Sequence, residues 1–154
     1  MPWSELYAYW KSKHVDGRPP SRRSIEPIGE IPRLAPRLML IDIVPEGYRY
    51  RLVGSEIVRR SGFDLTGKLV GSTGHGMDIK SEWYVEIDDA FRSRCPKLLL
   101  LRIAPALKVQ ILMLALPLVL ENGETEMLLV GAFHEGRLEP PYRVEGLKPL
   151  DISL

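Results

Sequence analysis

The sequence predicts an α+β fold, with an aromatic helix at the start, a longer helix in the middle, and strands gathered on either side of it. Three observations carry this. Trp3, Leu6, Tyr7 and Trp10 recur at i, i+3, i+4 and i+7, the spacing of one helical face. Five apolar or alternating segments of strand length lie at 38–44, 48–53, 97–104, 108–120 and 125–134. Between the second and third of them, Ile79, Trp83, Ile87, Ala90 and Phe91 form a stripe with helical spacing.

The first helix ends at Asp16-Gly17 and Pro19-Pro20. Its aromatic face has two readings: a helix packed on its own domain, or a contact between two copies made by Trp3, Leu6, Tyr7 and Trp10. The stretch from Pro19 to Pro36 holds five prolines and many charges, and reads as an ordered but irregular linker across a surface. Leu38 to Val44 is a strand broken in hydrophobicity only by Asp42. Pro45-Glu46-Gly47 turns the chain. Tyr48, Tyr50 and Leu52 then alternate with Arg49, Arg51 and Val53, so the hairpin has a greasy face and a cationic face, the latter read as solvated.

Gly54 closes that strand. Ser55 is placed to cap a short helix, Glu56 suits its positive end, and Arg59 and Arg60 suit its negative end. Gly62 can take the left-handed position after it. Asp64 is placed to cap a further single turn, which Gly67 leaves. The loop 71–76, GSTGHG, precedes the long helix, which begins at Asp78 or Ser81 and stops at Pro96. Glu121-Asn122-Gly123-Glu124 is the clearest turn, because Asn-Gly suits a two-residue hairpin loop. Residues 137–154 hold three prolines and read as a tail, with a short packed segment at its end as the alternative. The expected divisions are 1–36, helix and linker packed on the domain; 37–136, the domain; and 137–154, the tail.

Size and composition bound the function. A chain of 154 residues is one domain by length, and buries about 68–70% of its unfolded surface. Net charge is +1, which supplies no field to attract nucleic acid or an acidic membrane. The single cysteine, Cys95, allows no internal disulfide. No signal-peptide pattern opens the chain. The run Ile111 to Leu120 is shorter than the roughly 20 residues a membrane helix needs. A cytoplasmic protein is expected. Both faces of the 108–120 strand are apolar, where a half-exposed strand would alternate. The aromatic helix or a second subunit must therefore cover the second face.

Strand, short helix and turn over YRYRLVGSEIVRRSGFDLTGKLVG, residues 48–71, resemble the front half of a PAS domain. In that segment an aromatic after Gly precedes a polar turn and a second Gly: Gly62, Phe63, Asp64 and Gly67. The chain is more similar still to a stand-alone PAS-like family found mainly in alphaproteobacteria. The shared features are Tyr9-Trp10-Lys11-Ser12, Gly17-Arg18-Pro19-Pro20, Ile25-Glu26-Pro27, Leu34-Ala35-Pro36, the Tyr50 to Gly54 strand end and the Leu65 to Gly67 turn. The resemblance runs from about residue 6 to residue 135 and is weak over 72–96.

The resemblance implies a PAS-like five-stranded antiparallel sheet with helices on one face, plus the N-terminal amphipathic helix. It implies a bacterial, non-catalytic sensory or regulatory protein and brings no catalytic residues. The expected function is to bind a small apolar or aromatic ligand and to signal through protein–protein contacts, as a homodimer or with an unidentified signalling protein. The alternative is a ligand-free dimerisation or adaptor module. No cofactor is named by the sequence, and neither nucleic acid nor membrane is an expected partner.

Candidate sites follow. Val58, Trp83, Ile87, Leu112 and Leu114 can line an apolar pocket, or can pack those positions shut; Trp83 can stack on a ligand or fill the core. The GSTGHG loop lacks the Gly-Lys-Ser/Thr of a P-loop. His75 has no second ligand at metal-site spacing and reads as an exposed loop histidine. Cys95 reads as a small buried residue, since a helix C-terminus raises a thiol pKa. Asp88 and Asp89 point about 100° apart on a helix and read as a solvated face.

Overall fold

Helix α1 spans Pro2–Ser12, α2 is the single turn Pro27–Glu30, α3 spans Ser55–Ser61 and α4 spans Ser81–Ser93. The strands are β1 Leu38–Val44, β2 Gly47–Val53, β3 Lys97–Ala104, β4 Val109–Val119, β5 Thr125–Phe133 and β6 Arg143–Leu150. This computed structural model describes residues 2–72, 81–104, 109–134 and 142–152. The strands form one antiparallel sheet in the order β2-β1-β5-β4-β3-β6.

The sheet therefore has six strands where five were expected. The sixth comes from the segment read as a tail: Arg143–Leu150 pairs with β3, from Leu98↔Leu150 to Ala104↔Arg143. Pro149 is compatible with this because β6 is an edge strand.

Parity along the strands divides the interior into two layers. Ile111, Met113 and Ala115 of β4 join Leu128 and Val130 of β5 in a core with Trp83, Ile87, Ala90 and Phe91 of α4 and Ile57 of α3. Leu114, Leu116 and Leu118 point to the other face, where they meet Trp3, Leu6 and Trp10 of α1. The doubly apolar β4 is thus covered on its second face by the chain's own aromatic helix.

That cover is keyed to particular residues. A Cβ at Gly131 of β5 would lie 2.6 Å from Leu6 Cδ2, so Leu6 occupies the space that the missing side chain leaves. The Trp10 indole N–H donates to the Pro117 carbonyl at 2.9 Å. The β3 ladder ends at Lys97↔Ala115, and the outward Pro117 carbonyl accepts from α1 instead. Proline has no N–H to offer on that side, so its place in the strand costs no ladder bond. Val119 N–H donates to Pro20 of the linker at 2.9 Å, extending the same edge protection.

Several local expectations are adjusted. The cap of α3 is Gly54, with no side-chain cap bond, and Ser55 is its first helical residue; Gly62 does take the left-handed conformation, φ 83°. Asp64 caps no helical turn. Its carboxylate accepts from the Thr66 N–H at 3.0 Å and from the Thr66 hydroxyl at 2.6 Å, which is an Asx-type turn. The β4–β5 hairpin closes through Leu120 N–H to Glu124 O at 2.8 Å. Only Gly123 takes a positive φ there, 85°, so the loop is three residues of the bulged kind rather than two.

The β1–β2 hairpin carries the most consequential change. Tyr50 pairs with Ile41 and Leu52 with Leu40, with a register shift between Leu40 and Ile41. Arg51 is the extra residue of this bulge. Leu40 belongs to the α1 layer, so Leu52 is turned onto the α1 face and away from Tyr48 and Tyr50. Nor is the cationic face simply solvated. Arg49 makes a two-bond ion pair with Asp42, 3.1 and 2.7 Å, which is how Asp42 tolerates burial.

Candidate functional site

Two places on the sheet can be weighed as sites: the layer under α3 and α4, and the α1 face beside the proline-rich linker. The layer under α4 is filled by the chain itself. Trp83 and Ile87 are each 0% exposed. The Trp83 indole N–H donates to the Tyr50 hydroxyl at 2.7 Å, inside the core. A buried indole needs such a partner, and the helix stripe and the hairpin supply it together. Beside the pair, the Tyr48 ring stacks on Phe91 with centroids 4.6 Å apart. Its hydroxyl donates to Asp88 at 2.6 Å. Burial and then the Asp88 hydrogen bond push the Tyr48 phenol up to about 12. The same bond, with the ion pair to Arg92, holds Asp88 below its ordinary value.

Between α3, the sheet and Tyr142 lies a cavity of about 20 Å³, enough for about one water. Tyr142 donates to the Ser61 carbonyl at 2.9 Å, and burial pushes its phenol up to about 12.

The five residues expected to line a pocket do not share a wall. Trp83 and Ile87 lie together under α4. Leu112 and Leu114 have the opposite parity on β4 and belong to the α1 layer. Val58 is half-buried on α3, and its neighbour Ile57 is the one that enters the core. Of the four residues considered as an interface, Trp3, Leu6 and Trp10 are buried in the chain's own core and Tyr7 is half-buried.

The second place was not anticipated. Helix α1 lies across β4 and β5 and leaves the β1–β2 end of that face to the linker. Between them is a groove of about 420 Å³, walled by Ile25, Pro27 and Pro36 on one side and by Leu40, Leu52 and Leu129 on the other. Ile28 and Leu52, at its lips, are 78% and 51% exposed. The groove is held open by a close approach. A Cβ at Gly54 would lie 2.3 Å from the Pro36 carbonyl oxygen, and the Gly54 N–H donates to the Leu38 carbonyl at 2.8 Å. The α2 wall is pinned to α1: Tyr9 donates to Glu30 at 2.8 Å and accepts from the Glu26 N–H at 2.9 Å. Burial, with the Glu30 carboxylate beside it, pushes the Tyr9 phenol up to about 12 against the opposing pull of the Glu26 N–H. The sequence signal for this site was a prolyl linker carrying isoleucines, Ile25, Ile28 and Ile31, beside a hairpin with one apolar face. The bulge that delivers Leu52 has no such signal.

Other chemistry-bearing residues form no constellation. Cys95 is exposed, not buried. The chain leaves α4 through Arg94 at a positive φ of 59°, which swings the next residue outward, and among the described residues the thiol donates to the Ser93 carbonyl at 3.4 Å. Asp88 and Asp89 have separate partners, Tyr48 with Arg92 for the first and Lys97 for the second. Most of the GSTGHG loop, with His75, and Ile79 lie outside the described residues. Among the described residues, no three His, Cys, Asp or Glu side chains gather as a metal site, and no helix is long and apolar enough to cross a membrane.

No curated protein and no solved structure matches the chain. A family model described as PAS domain does match, over residues 1–133, a span that takes in α1, the linker, the hairpin, α3, α4 and β3 to β5. The antiparallel sheet with its helices agrees with that match, and the chain belongs to the PAS domain family.

Proposed function

We propose that this protein is a non-catalytic regulatory module of the sensory PAS type, and that it acts through contacts with another protein. The observation that supports this is the Trp83–Tyr50 pair, 2.7 Å apart in the core. It fills the layer between helices and sheet, where the sequence suggested a ligand. With Trp83 and Tyr50 both fully buried and bonded to each other, a ligand under α4 would have to displace this aromatic pair and strip the indole N–H of its partner, a cost its own binding must first offset. A change of state is therefore read out at the surface of the sheet and linker, by differential affinity of a partner for two arrangements.

Crosslinking in the source cell, followed by mass spectrometry, tests the proposal. A protein partner recovered in near-stoichiometric amount, whose loss accompanies loss of a regulated output, is the expected result. Turnover of a metabolite by the purified protein, or the absence of any crosslinked partner, would overturn it.

A further inference from the structure

We infer that the groove between the proline-rich linker and the β1–β2 hairpin is a binding site for a small anionic amphiphile, an apolar body with one carboxylate or equivalent head. The inference goes beyond the regulatory reading and fails separately from it, since a partner can dock without any small molecule. Four features point to this occupant.

The first is size. The groove measures about 420 Å³, inside the range of about 300–1,000 Å³ that small-molecule sites occupy. The second is lining. Its floor is Leu38, Leu40 and Leu129, and its walls carry three prolines, Pro27, Pro32 and Pro36. Among the described residues no buried side-chain polar atom lacks a partner, so the interior asks for an apolar body.

The third is preformation. Prolines fix φ, and the Gly54 approach to Pro36 leaves no room for a Cβ. The walls are set before a ligand arrives, which lowers the ordering cost of binding. Ile28 and Leu52 nevertheless stand exposed at the lips, where a ligand would cover them.

The fourth is charge. Arg22 sits in the rim and donates to the Ile25 carbonyl at 3.4 Å. Among the described residues no carboxylate lies within ion-pair distance of it. Glu26, also in the rim, would repel an anionic head, but it is exposed where Arg22 is half-buried, so water and salt screen its charge more than that of the arginine. A carboxylate head at Arg22, with its tail along Leu40 and Leu52, meets each of these features.

Decanoate and decanol are suitable probes, read by amide NMR shifts on the full chain. Decanoate at about 1 mM, well above a micromolar dissociation constant, should shift Ile28, Leu52, Gly54 and Leu129 and leave Trp83 unmoved. Ile28→Asp, at a site 78% exposed and so harmless to folding, and Leu52→Glu should each weaken decanoate at least about tenfold. Arg22→Gln should weaken decanoate by about tenfold and leave decanol unchanged. Absence of shifts, shifts centred on α4, or full binding by both lip variants would overturn the site. Equal loss of decanol in Arg22→Gln would overturn the anionic head. A doubled mass by light scattering with the same amides shifted, before any probe is added, would assign the groove to a second copy and overturn the inference.

Discussion

The Trp83 indole donates to the Tyr50 hydroxyl at 2.7 Å, and both side chains are 0% exposed. One residue comes from the long helix and the other from the first hairpin, 33 positions apart. The bond therefore ties the two halves of the PAS unit together and fills the space between them.

Removing the indole should be costly. Trp83→Ala leaves a void and is expected to destabilise by about 3–5 kcal/mol. Tyr50→Phe leaves the indole N–H unpaired in the core and should cost about 1–3 kcal/mol. In a Trp83→Phe background the Tyr50→Phe cost should shrink, because the donor has gone. Urea melts of the four proteins measure the coupling; purely additive costs would show that the bond does not matter.

The cover of the second face depends on Leu6 over Gly131. Gly131→Ala places a methyl 2.6 Å from Leu6 Cδ2 and from the Phe133 ring, and overpacking of this kind costs about 1–3 kcal/mol. Leu6→Ala in the same chain should recover part of the loss. If the double variant is no better than the sum of the singles, α1 does not sit where the sheet is bare.

At Gly54 the conflict is with backbone rather than side chain. The added Cβ would meet the Pro36 and Leu38 carbonyl oxygens at 2.3 and 2.7 Å, and neither can turn aside. Gly54→Ala should destabilise by about 2 kcal/mol or more. It should also broaden amide signals from the linker before those from α4. An unchanged melting temperature would contradict the close approach of strand end and linker.

Glu56 supplies a pH dependence. Hydrogen bonds from Arg59 and Arg60 hold its carboxyl down at about 2, from an ordinary 4.5. The folded value is the lower one, so the contribution is full above about pH 4.5 and disappears as pH falls towards 2. Glu56→Gln should melt below the wild type at neutral pH by a small margin, since Glu56 stays partly open to solvent and its Arg59 partner is exposed. The two melting curves should converge in acid. A gap that widens on acidification would reverse the sign of the argument.

How much could be read from the chain alone depended on where the deciding physics was local. Helix α3 was legible because Gly54, Glu56, Arg59, Arg60 and Gly62 all sit within one short segment and agree. Strands β1 and β3 were legible as apolar runs, each broken inside only once, by Asp42 and by Arg102. Strand β6 was not: Gly146 and Pro149 dilute its pattern, and it exists as a strand because β3 offers it an edge.

The register of β2 is the sharper case. An alternation of Tyr48, Tyr50 and Leu52 places all three on one face until Arg51 bulges out, and that depends on pairing with β1. The same change moved Leu52 from the expected core to the lip of the groove. Leu112 and Leu114 were misjudged for a related reason. When both faces of a strand are apolar, composition does not say which parity meets α4. Cys95 turned outward because of the left-handed Arg94, a conformation that nothing in the residue types foretells.

Hydrogen exchange at the Trp83 indole N–H tests the central relationship most directly, since that single proton is resolved from the backbone in a nitrogen-correlated spectrum. If the indole is locked onto Tyr50 in a filled interior, it should exchange only as fast as the whole domain unfolds, and should not shift when benzene or decanoate is added. Exchange within minutes under native conditions, or a shift on adding benzene, would mean that the space under α4 opens and that the ligand belongs there instead.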